Sequence, residues 1–289
     1  MMSMRRYFLI ALSLLYCSAF AQEIVWFTDD KADLHDLLHD KPISIGTDTI
    51  NLVHKNLSQY QISFQYAPIP RITNQLINID NACVGNRIKT EERVKDNLFS
   101  LPLNFYPSYR LYYLKSNISL PPELFNDKKQ LLSLPHLFDA LPNTVLAVEK
   151  GRSFGPTLDK IIPNLPENNV FVRPGNDGYS AISKLMFIGR VDFIIAFPTE
   201  MKERIKNAGI EQEIQSVEIA NIDSYIVGHI ACSKSPAGEK FIHDVDVILK
   251  RIYQTEDYIN AHLRYLDEVD HQAFNDYFNV FKKQLFLTR

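Results

Sequence analysis

Apolar, β-branched runs alternate with segments of helical period through the first part of the chain. The pattern predicts strands over residues 23–27, 60–66 and 81–85, and helices over residues 47–57 and 71–79. Strands separated by helices in this way pair in parallel and are covered by the helices. The first part of the chain is therefore predicted to form an α/β unit.

The same alternation returns further along the chain with a different sequence. The predicted elements are strands over residues 144–148, 169–173 and 191–197, and helices over residues 154–162 and 179–188. Between the two series, residues 109–115 predict a connecting strand, and the Pro-rich residues 120–142 predict a surface elaboration. The pattern therefore predicts a second α/β unit.

A return strand over residues 225–232 leads to three predicted helices, over residues 238–253, 258–266 and 272–286. The last helix carries an aromatic stripe on one face, which is more typical of core packing than of cofactor contact: Phe274, Tyr277, Phe278 and Phe281. We expect two lobes, with residues 22–108 and 229–289 in lobe 1 and residues 109–228 in lobe 2. The chain is predicted to cross between them near Tyr109 and near Tyr225.

The N-terminus has the layout of a secretory signal peptide. Arg5 and Arg6 precede an apolar run over residues 7–16, and small residues allow cleavage after Ala21. The run is about half of the roughly 20 residues that span a bilayer, which disfavours a membrane anchor. Cys17 lacks the small preceding residues of a lipoprotein site. We expect a soluble mature protein in the periplasm, which needs a membrane partner for transport or signalling.

Composition narrows the function classes further. The chain has 289 residues, 46% of them hydrophobic, and a net charge of −3, with both signs mixed along its length. This balance lacks the basic footprint of a nucleic-acid-binding protein. Only Cys83 and Cys232 follow the predicted cleavage site, and in an oxidising compartment they form either one disulfide or two buried free thiols.

Two blocks of sequence resemble the family 3 extracellular solute-binding proteins. In the first, Thr90 and Arg93 match the family's Thr-x-x-Arg turn, and Phe99, Ser100 and Pro102 match its Phe-Ser-x-Pro step. In the second, residues 147–153 look like a strand-to-helix turn of the family and residues 189–192 look like its Gly-Arg-x-Asp step. The resemblance implies the two-lobed periplasmic binding protein type II fold, with mixed sheets flanked by helices and two hinge crossovers.

Arg93 is the leading candidate for ligand binding. The Thr90 hydroxyl can cap a helix that begins at residue 91, and a guanidinium in its first turn can hold a carboxylate through two parallel hydrogen bonds. The resemblance implies that the arginine at this position holds the ligand's carboxylate. The alternative is a surface arginine that pairs with a nearby acid, namely Glu91, Glu92 or Asp96.

The turn that contains Arg152 and Ser153 precedes a predicted helix in the second unit. Free N–H groups at a helix start attract anions, so Ser153 is expected either to share the ligand's carboxylate or to serve as a plain helix cap. The sequence departs from the family at Phe197, where amino-acid binders of the family have an acidic residue for the ligand's ammonium. Phe197 therefore favours a carboxylate-bearing or aromatic ligand that lacks this ammonium.

Other candidate residues carry weaker signals. Trp26 ends the first predicted strand and can either cover a ligand or pack in the core, while Arg71 follows a strand-to-helix turn and lies either in the cleft or in solvent. His35 and His39 share a helix face at a spacing of four residues, but no third metal ligand stands at a recognisable offset. We expect no metal and no cofactor.

The resemblance implies a monomeric periplasmic protein that captures a small carboxylate-bearing or amino-acid-like solute. Its partner would be an inner-membrane permease of an ABC transporter or a membrane-bound sensor. The alternative is a periplasmic enzyme of the same fold that resembles cyclohexadienyl dehydratase. Such an enzyme needs an acid or base in the cleft, for which Glu149 and Glu92 are the candidates, and we expect binding without catalysis.

Overall fold

The computed structural model describes residues 22–175, 178–209 and 213–287, and the predicted signal peptide lies outside these ranges. The strands are β1 (Gln22–Thr28), β2 (Tyr60–Tyr66), β3 (Ala82–Ile88), β4 (Asn97–Pro107), β5 (Arg110–Leu114), β6 (Leu146–Glu149), β7 (Val170–Arg173), β8 (Phe193–Ala196), β9 (Ile214–Glu218) and β10 (Tyr225–Ser233). The helices are α1 (Lys31–His39), α2 (Ile45–His54), α3 (Ile69–Asn78), α4 (Glu91–Asp96), α5 (Leu134–Ala140), α6 (Pro156–Ile161), α7 (Gly178–Phe187), α8 (Pro198–Ala208), α9 (Pro236–Ile252), α10 (Glu256–Leu263) and α11 (His271–Leu287).

The strands form two sheets of five strands each. The first sheet has the order β2-β1-β3-β10-β4, and the second has the order β7-β6-β8-β5-β9. In each sheet three strands pair in parallel, and a strand beside them runs antiparallel. We call each sheet with its helices a lobe, the first lobe being built on β1 and the second on β6. The predicted fold of two mixed α/β lobes is confirmed.

The chain passes between the lobes twice, after β4 and before β10. The two crossing segments lie side by side, because the N–H of Ser108 donates to the carbonyl of Ser224 at 3.0 Å. The predicted lobe boundary at residue 228 lies inside β10, which pairs with β4 from Tyr225 onward. The return strand thus begins at the crossing predicted near Tyr225, and residues 225–228 belong to the first sheet.

Five elements had no predicted counterpart: α1, β4, α5, α8 and β9. The strand β4 contains Pro102 and ends at Pro107, and proline removes a ladder donor. The sheet tolerates this because β4 is an edge strand with register shifts near Pro102. The N–H of Leu101 donates to the carboxylate of Asp246 at 2.7 Å instead. None of the described helices is long and apolar enough to cross a membrane.

The aromatic stripe of α11 packs in the core, as predicted. Phe274 and Phe278 are buried, and the ring of Phe105 on β4 contacts Tyr277, Phe278 and Phe281 with ring centroids 5.0–5.7 Å apart. The stripe therefore fixes the last helix against the edge of the first sheet, where β4 leaves for the second lobe.

Cys83 and Cys232 form a disulfide between neighbouring strands. Cys83 on β3 lies opposite Cys232 on β10 in the antiparallel ladder, their Cα atoms are 4.1 Å apart, and both side chains are buried. Of the two possibilities left open by the sequence, the structure has the bridge. It joins segments 149 residues apart in the chain.

Removal of this bridge is expected to destabilise the first lobe. A cross-link over so long a loop restricts the unfolded chain, so the Cys83→Ala/Cys232→Ala variant should lose about 2–5 kcal/mol of unfolding free energy. Urea unfolding of the variant and of the oxidised wild type measures the difference. Wild type unfolded with a reductant present is the control, and equal stability of oxidised and reduced wild type would contradict the expectation.

Candidate ligand-binding site

A cavity of about 650 Å³ lies between the two lobes. The first lobe contributes the carboxyl ends of β1 and β3, where residues of open α/β sheets commonly meet a ligand. The second lobe contributes the turn after β6 and parts of α7 and α8. Volumes of this size hold small organic molecules.

Arg93 lies in the wall of this cavity, as predicted. Its Nη1 donates to the carbonyl of Ile88 at 2.9 Å, and its Nη2 donates across the gap to the carbonyl of Gly151 at 3.2 Å. Two of the five N–H donors of a guanidinium are thus used. Burial lowers the pKa of Arg93, and within the described part of the chain no carboxylate lies within 4.0 Å of its nitrogens. The alternative of a surface pair with Glu91, Glu92 or Asp96 is not seen.

Thr90 positions Arg93 rather than lining the cavity. Its hydroxyl accepts from the N–H of Arg93 at 3.2 Å and caps α4, which begins at Glu91. The described residues that line the cavity do not include Thr90. Thr90 therefore fixes the first helical turn, which carries Arg93.

Arg152 lines the cavity but is occupied by two acids. Its Nε donates to Glu149 at 2.8 Å in the same lobe, and its Nη2 donates to Asp29 at 3.0 Å in the other lobe. Burial raises the pKa of the Glu149 carboxyl, and the charge of Arg152 opposes that shift. Arg152 therefore links the lobes while it compensates a buried carboxylate.

The hydroxyl of Ser153 is held by hydrogen bonds within its own turn, and it does not cap α6, which begins after Gly155. This hydroxyl donates to the carboxylate of Asp159, which also accepts from the N–H of Phe154 at 2.6 Å. The anion position at the start of α6 is therefore filled by an acid of the protein itself. Ser153 lines the cavity, but its hydroxyl donates to Asp159. In this structure that hydroxyl proton is used by the protein's own carboxylate.

Phe197 lies at the start of α8, inside an aromatic stack. Its ring lies 4.7 Å from that of Tyr106 and 4.1 Å from that of Tyr109, with interplanar angles of 17° and 16°. Tyr106 belongs to β4 of the first lobe, and Tyr109 lies at the crossing between lobes. All three rings line the cavity, so an apolar aromatic surface occupies the place where the family resemblance implies an acid.

Of the two weaker candidates, Trp26 reaches the cavity and Arg71 is not in the described lining. Trp26 is 1% exposed and packs its ring edge-on against His54 and Phe241, so it reaches the cavity wall from the core. Arg71 is exposed on α3 and is not among the described residues that line the cavity. Of the two positions that the sequence left open for Arg71, the structure has the one in solvent.

Acidic groups of both lobes were missed by the sequence analysis. Asp29 and Asp30 follow β1 directly, and Asp33 lies on α1, facing Glu200 of α8. Burial, followed by repulsion from Asp30 and Asp29, raises the pKa of Asp33, and burial likewise raises that of Glu200. The position of Asp29 and Asp30 at the end of a predicted parallel strand was the available signal.

Ion pairs join the lobes at the rim of the cavity. Besides Arg152 and Asp29, Arg204 of α8 lies 3.9 Å from Asp30, and the ammonium of Lys202 contacts the carboxylate of Asp267. The exposed pair of Lys202 and Asp267 contributes little by itself and weakens with salt, whereas the pairs of Arg152 and Arg204 are partly buried. Together they show that the two lobes are in contact around the cavity.

An asparagine cluster lies beside the cavity, whose lining includes Asn86 and Gly228. Asn86 has a φ of 54°, and its Oδ1 accepts from Asn104 Nδ2 at 2.6 Å, while the same amide of Asn104 donates to Thr49 at 3.0 Å. Gly228 of β10 leaves room for this cluster, since a Cβ there would lie 2.1 Å from Asn104 Oδ1. The glycine is thus required by a close approach.

Substitution of Gly228 is expected to destabilise the protein. The added Cβ of Gly228→Ala forces Asn104 to shift in a packed region, which costs about 1–3 kcal/mol in comparable overpacked sites. Chemical unfolding measures the loss. In the matched Asn104→Ala background the same glycine substitution should cost less, and an equal cost in both backgrounds would show that the predicted clash is absent.

The pair of Glu149 and Arg152 predicts a pH-dependent loss of stability. Arg152→Met removes the charge-assisted hydrogen bond of a buried carboxylate and should cost about 1.5–3 kcal/mol at neutral pH. Without the cation the pKa of Glu149 rises further, so the carboxyl takes up a proton as pH falls and the loss should be smaller at about pH 5 than at about pH 7.5. Urea unfolding at both pH values measures it.

The matched control for this prediction is Glu149→Gln/Arg152→Met. The neutral amide removes the buried charge, so the stability difference from Glu149→Gln alone should change little with pH. A loss in Arg152→Met that is the same at both pH values would contradict the assigned role of the pair.

Comparison with known proteins identifies the fold at low sequence identity. No family model matches the sequence, and no curated protein matches it. Solved structures match over most of the chain. A protein from a study of glutathione import via GshT and the cystine ABC importer TcyBC of Streptococcus mutans is 16% identical, with a TM-score of 0.62 over 85% of this chain and 95% of that one.

Two further solved structures agree. A putative L-cystine ABC transporter protein from Listeria monocytogenes is 19% identical, with a TM-score of 0.60 over 85% of this chain and 96% of that one. An ancestral arginine-binding protein bound to arginine is 16% identical, with a TM-score of 0.62 over 85% of this chain and 98% of that one. The chain therefore has the two-lobed fold of ABC-transporter substrate-binding proteins, as the resemblance implied.

Proposed function

We propose that the protein is a periplasmic solute-binding protein that captures a small carboxylate-bearing or amino-acid-like ligand. The observation that carries this proposal is Arg93, whose guanidinium lies in the wall of the cavity between the lobes and keeps N–H donors that no described carboxylate uses. A guanidinium in such a setting is suited to a carboxylate, which it can hold through two parallel hydrogen bonds. The solved proteins of this fold include one described with bound glutamine and one with bound histidine.

Closure of the two lobes is the proposed means by which binding is signalled. Arg93 belongs to the first lobe and already reaches the carbonyl of Gly151 in the second. A ligand that contacts both walls favours the closed arrangement over the open one, which is a shift of population. Motion is proposed at the two crossing segments, near Ser108 and Ser224, because these are where the described chain passes from one lobe to the other. The proposal keeps the predicted division of the chain into two lobes. The second boundary is placed at residue 225 instead of residue 228, because β10 pairs with β4 from Tyr225 onward.

The partner and the compartment belong to the same proposal. We propose export through the predicted signal peptide, residues 1–21, and action as a monomer that delivers its ligand to an inner-membrane permease of an ABC transporter or to a membrane-bound sensor. The disulfide between Cys83 and Cys232 supports an oxidising compartment. Its burial in the first sheet makes it a structural bridge.

Binding without catalysis is proposed for two reasons. Glu149, the first candidate acid or base, is buried in an ion pair with Arg152, and the described cavity lining contains neither Glu149 nor Glu92. An acid or base must reach the reacting atom to transfer a proton. The two carboxyls that the sequence offered for dehydration of a cyclic acid are therefore out of position.

The test of the proposed function is the loss of carboxylate binding in Arg93→Ala. A charge-assisted hydrogen bond contributes about 1.5–3 kcal/mol, so affinity should fall about ten- to more than a hundredfold while the fold is retained. The ligand is first found by mass spectrometry of co-purifying molecules and a thermal-shift panel of amino acids, organic acids and polyamines. Isothermal calorimetry then measures affinity.

Arg251→Ala is the matched control. Arg251 is an exposed arginine of the same lobe, on α9, and donates to Asn56 far from the cavity lining. Its substitution should leave affinity unchanged. Unchanged affinity in Arg93→Ala, with Arg251→Ala also unchanged, would show that the site is elsewhere.

A further inference from the structure

A second guanidinium lies in the cavity wall at Arg87, which no sequence motif had singled out. The residue is 6% exposed and ends β3 next to Ile88. Its Nη2 donates to the Thr73 hydroxyl at 2.7 Å, and its Nε is buried without an acceptor. Such a side chain has lost most of its hydration and has regained one neutral hydrogen bond.

The charge of Arg87 is not balanced by an acid of the described chain. Two other arginines of the cavity wall, Arg152 and Arg204, have carboxylates within 4.0 Å, whereas the described residues place none within that distance of Arg87. Burial, followed by repulsion from Arg93, lowers the pKa of Arg87 to about 9. Asp29 opposes this shift, but its carboxylate is bound to Arg152. A buried charge without a partner is costly.

A bulge in β3 precedes Arg87 and directs its side chain into the cavity wall. Arg87 lies opposite His229 and Val84 lies opposite Ala231, so two residues of β3, Gly85 and Asn86, face one residue of β10. Asn86 has a positive φ of 54° at this point. Bulges redirect the side chains that follow them, and strained backbone is concentrated at functional sites.

We infer that the ligand carries two separate carboxylates, one held by Arg93 and a second held by Arg87. This inference rests on the proposed function and narrows its ligand class to dicarboxylic acids. Both guanidiniums line one cavity and repel each other, and no described carboxylate lies within 4.0 Å of either. A ligand with two negative groups would compensate both. Each guanidinium keeps unused N–H donors: Arg93 spends two of five, and Arg87 spends one of five.

Two carboxylates fit better than a single dianionic group because the two arginines are anchored in different directions. Arg93 reaches toward Gly151 in the second lobe, whereas Arg87 is tied to Thr73 on α3 of the first lobe. The acidic side chains of the cavity wall, such as Asp33 and Glu200, lie close to one another. Asp33 is repelled by Asp30, Asp29 and Glu200. The acid that acts on Arg87 is Asp29, whereas the acids that act on Arg93 are Asp159 and Glu92.

The first experiment compares matched ligand pairs on the wild-type protein, so it depends on no variant. Calorimetry measures succinate against butyrate, glutarate against valerate, and glutamate against glutamine, with inorganic phosphate as a further probe. The dicarboxylate of at least one pair should bind about ten- to a hundredfold more tightly, the effect of one added charge-assisted contact. Equal affinity within every pair overturns the inference while carboxylate binding stands.

The second experiment uses Arg87→Gln, with Arg251→Gln as the matched control. The expected result is loss of the dicarboxylate preference, with monocarboxylate affinity changed less than about threefold, whereas Arg93→Ala weakens both members of a pair. A retained preference in a folded Arg87→Gln overturns the inference, and so does tighter binding of phosphate than of any dicarboxylate by the wild type. If no carboxylate of either kind binds the wild type, the proposed function fails and the inference with it.

Discussion

The contact between the two lobes depends on how the guanidinium groups buried between them are compensated, because removing a charged group from water costs free energy. Arg93 meets this cost with backbone carbonyls from both lobes, and Arg152 meets it with carboxylates from both lobes. Each solution uses atoms of the two lobes at once, because neither lobe alone surrounds the guanidinium. Charge compensation and lobe contact are therefore the same interaction in this molecule.

Most strands and helices could be predicted from the spacing of apolar residues. A buried strand has a continuous apolar run, and a helix that covers the sheet has apolar residues along one face. The elements that escaped prediction have local reasons. The strand β4 is interrupted by Pro102, which an edge strand tolerates. The boundary at residue 228 was misplaced because β10 is apolar up to the crossing, and a hydrophobic pattern does not show where a strand changes lobes.

The site was less predictable than the fold. Arg93 was found because a motif fixed its place, and Phe197 was noticed because it departs from that motif. Ser153 and Arg152 were considered as ligand contacts because of their turn. In the structure the hydroxyl of Ser153 bonds to Asp159, and the guanidinium of Arg152 bonds to Glu149 and Asp29. Such partners are distant in sequence or depend on turn geometry, so spacing along the chain does not reveal them. Arg87 was overlooked because a bulge, rather than strand alternation, directs it.

The stack of Tyr106, Phe197 and Tyr109 joins chemistry to mechanics. These rings line the cavity and also bridge the first lobe, the second lobe and the crossing between them. An acidic side chain at position 197 would remove the middle ring of the stack and place a charge in the cavity wall. Under the proposed function, one residue therefore bears both on the choice of ligand and on the contact that holds the lobes together.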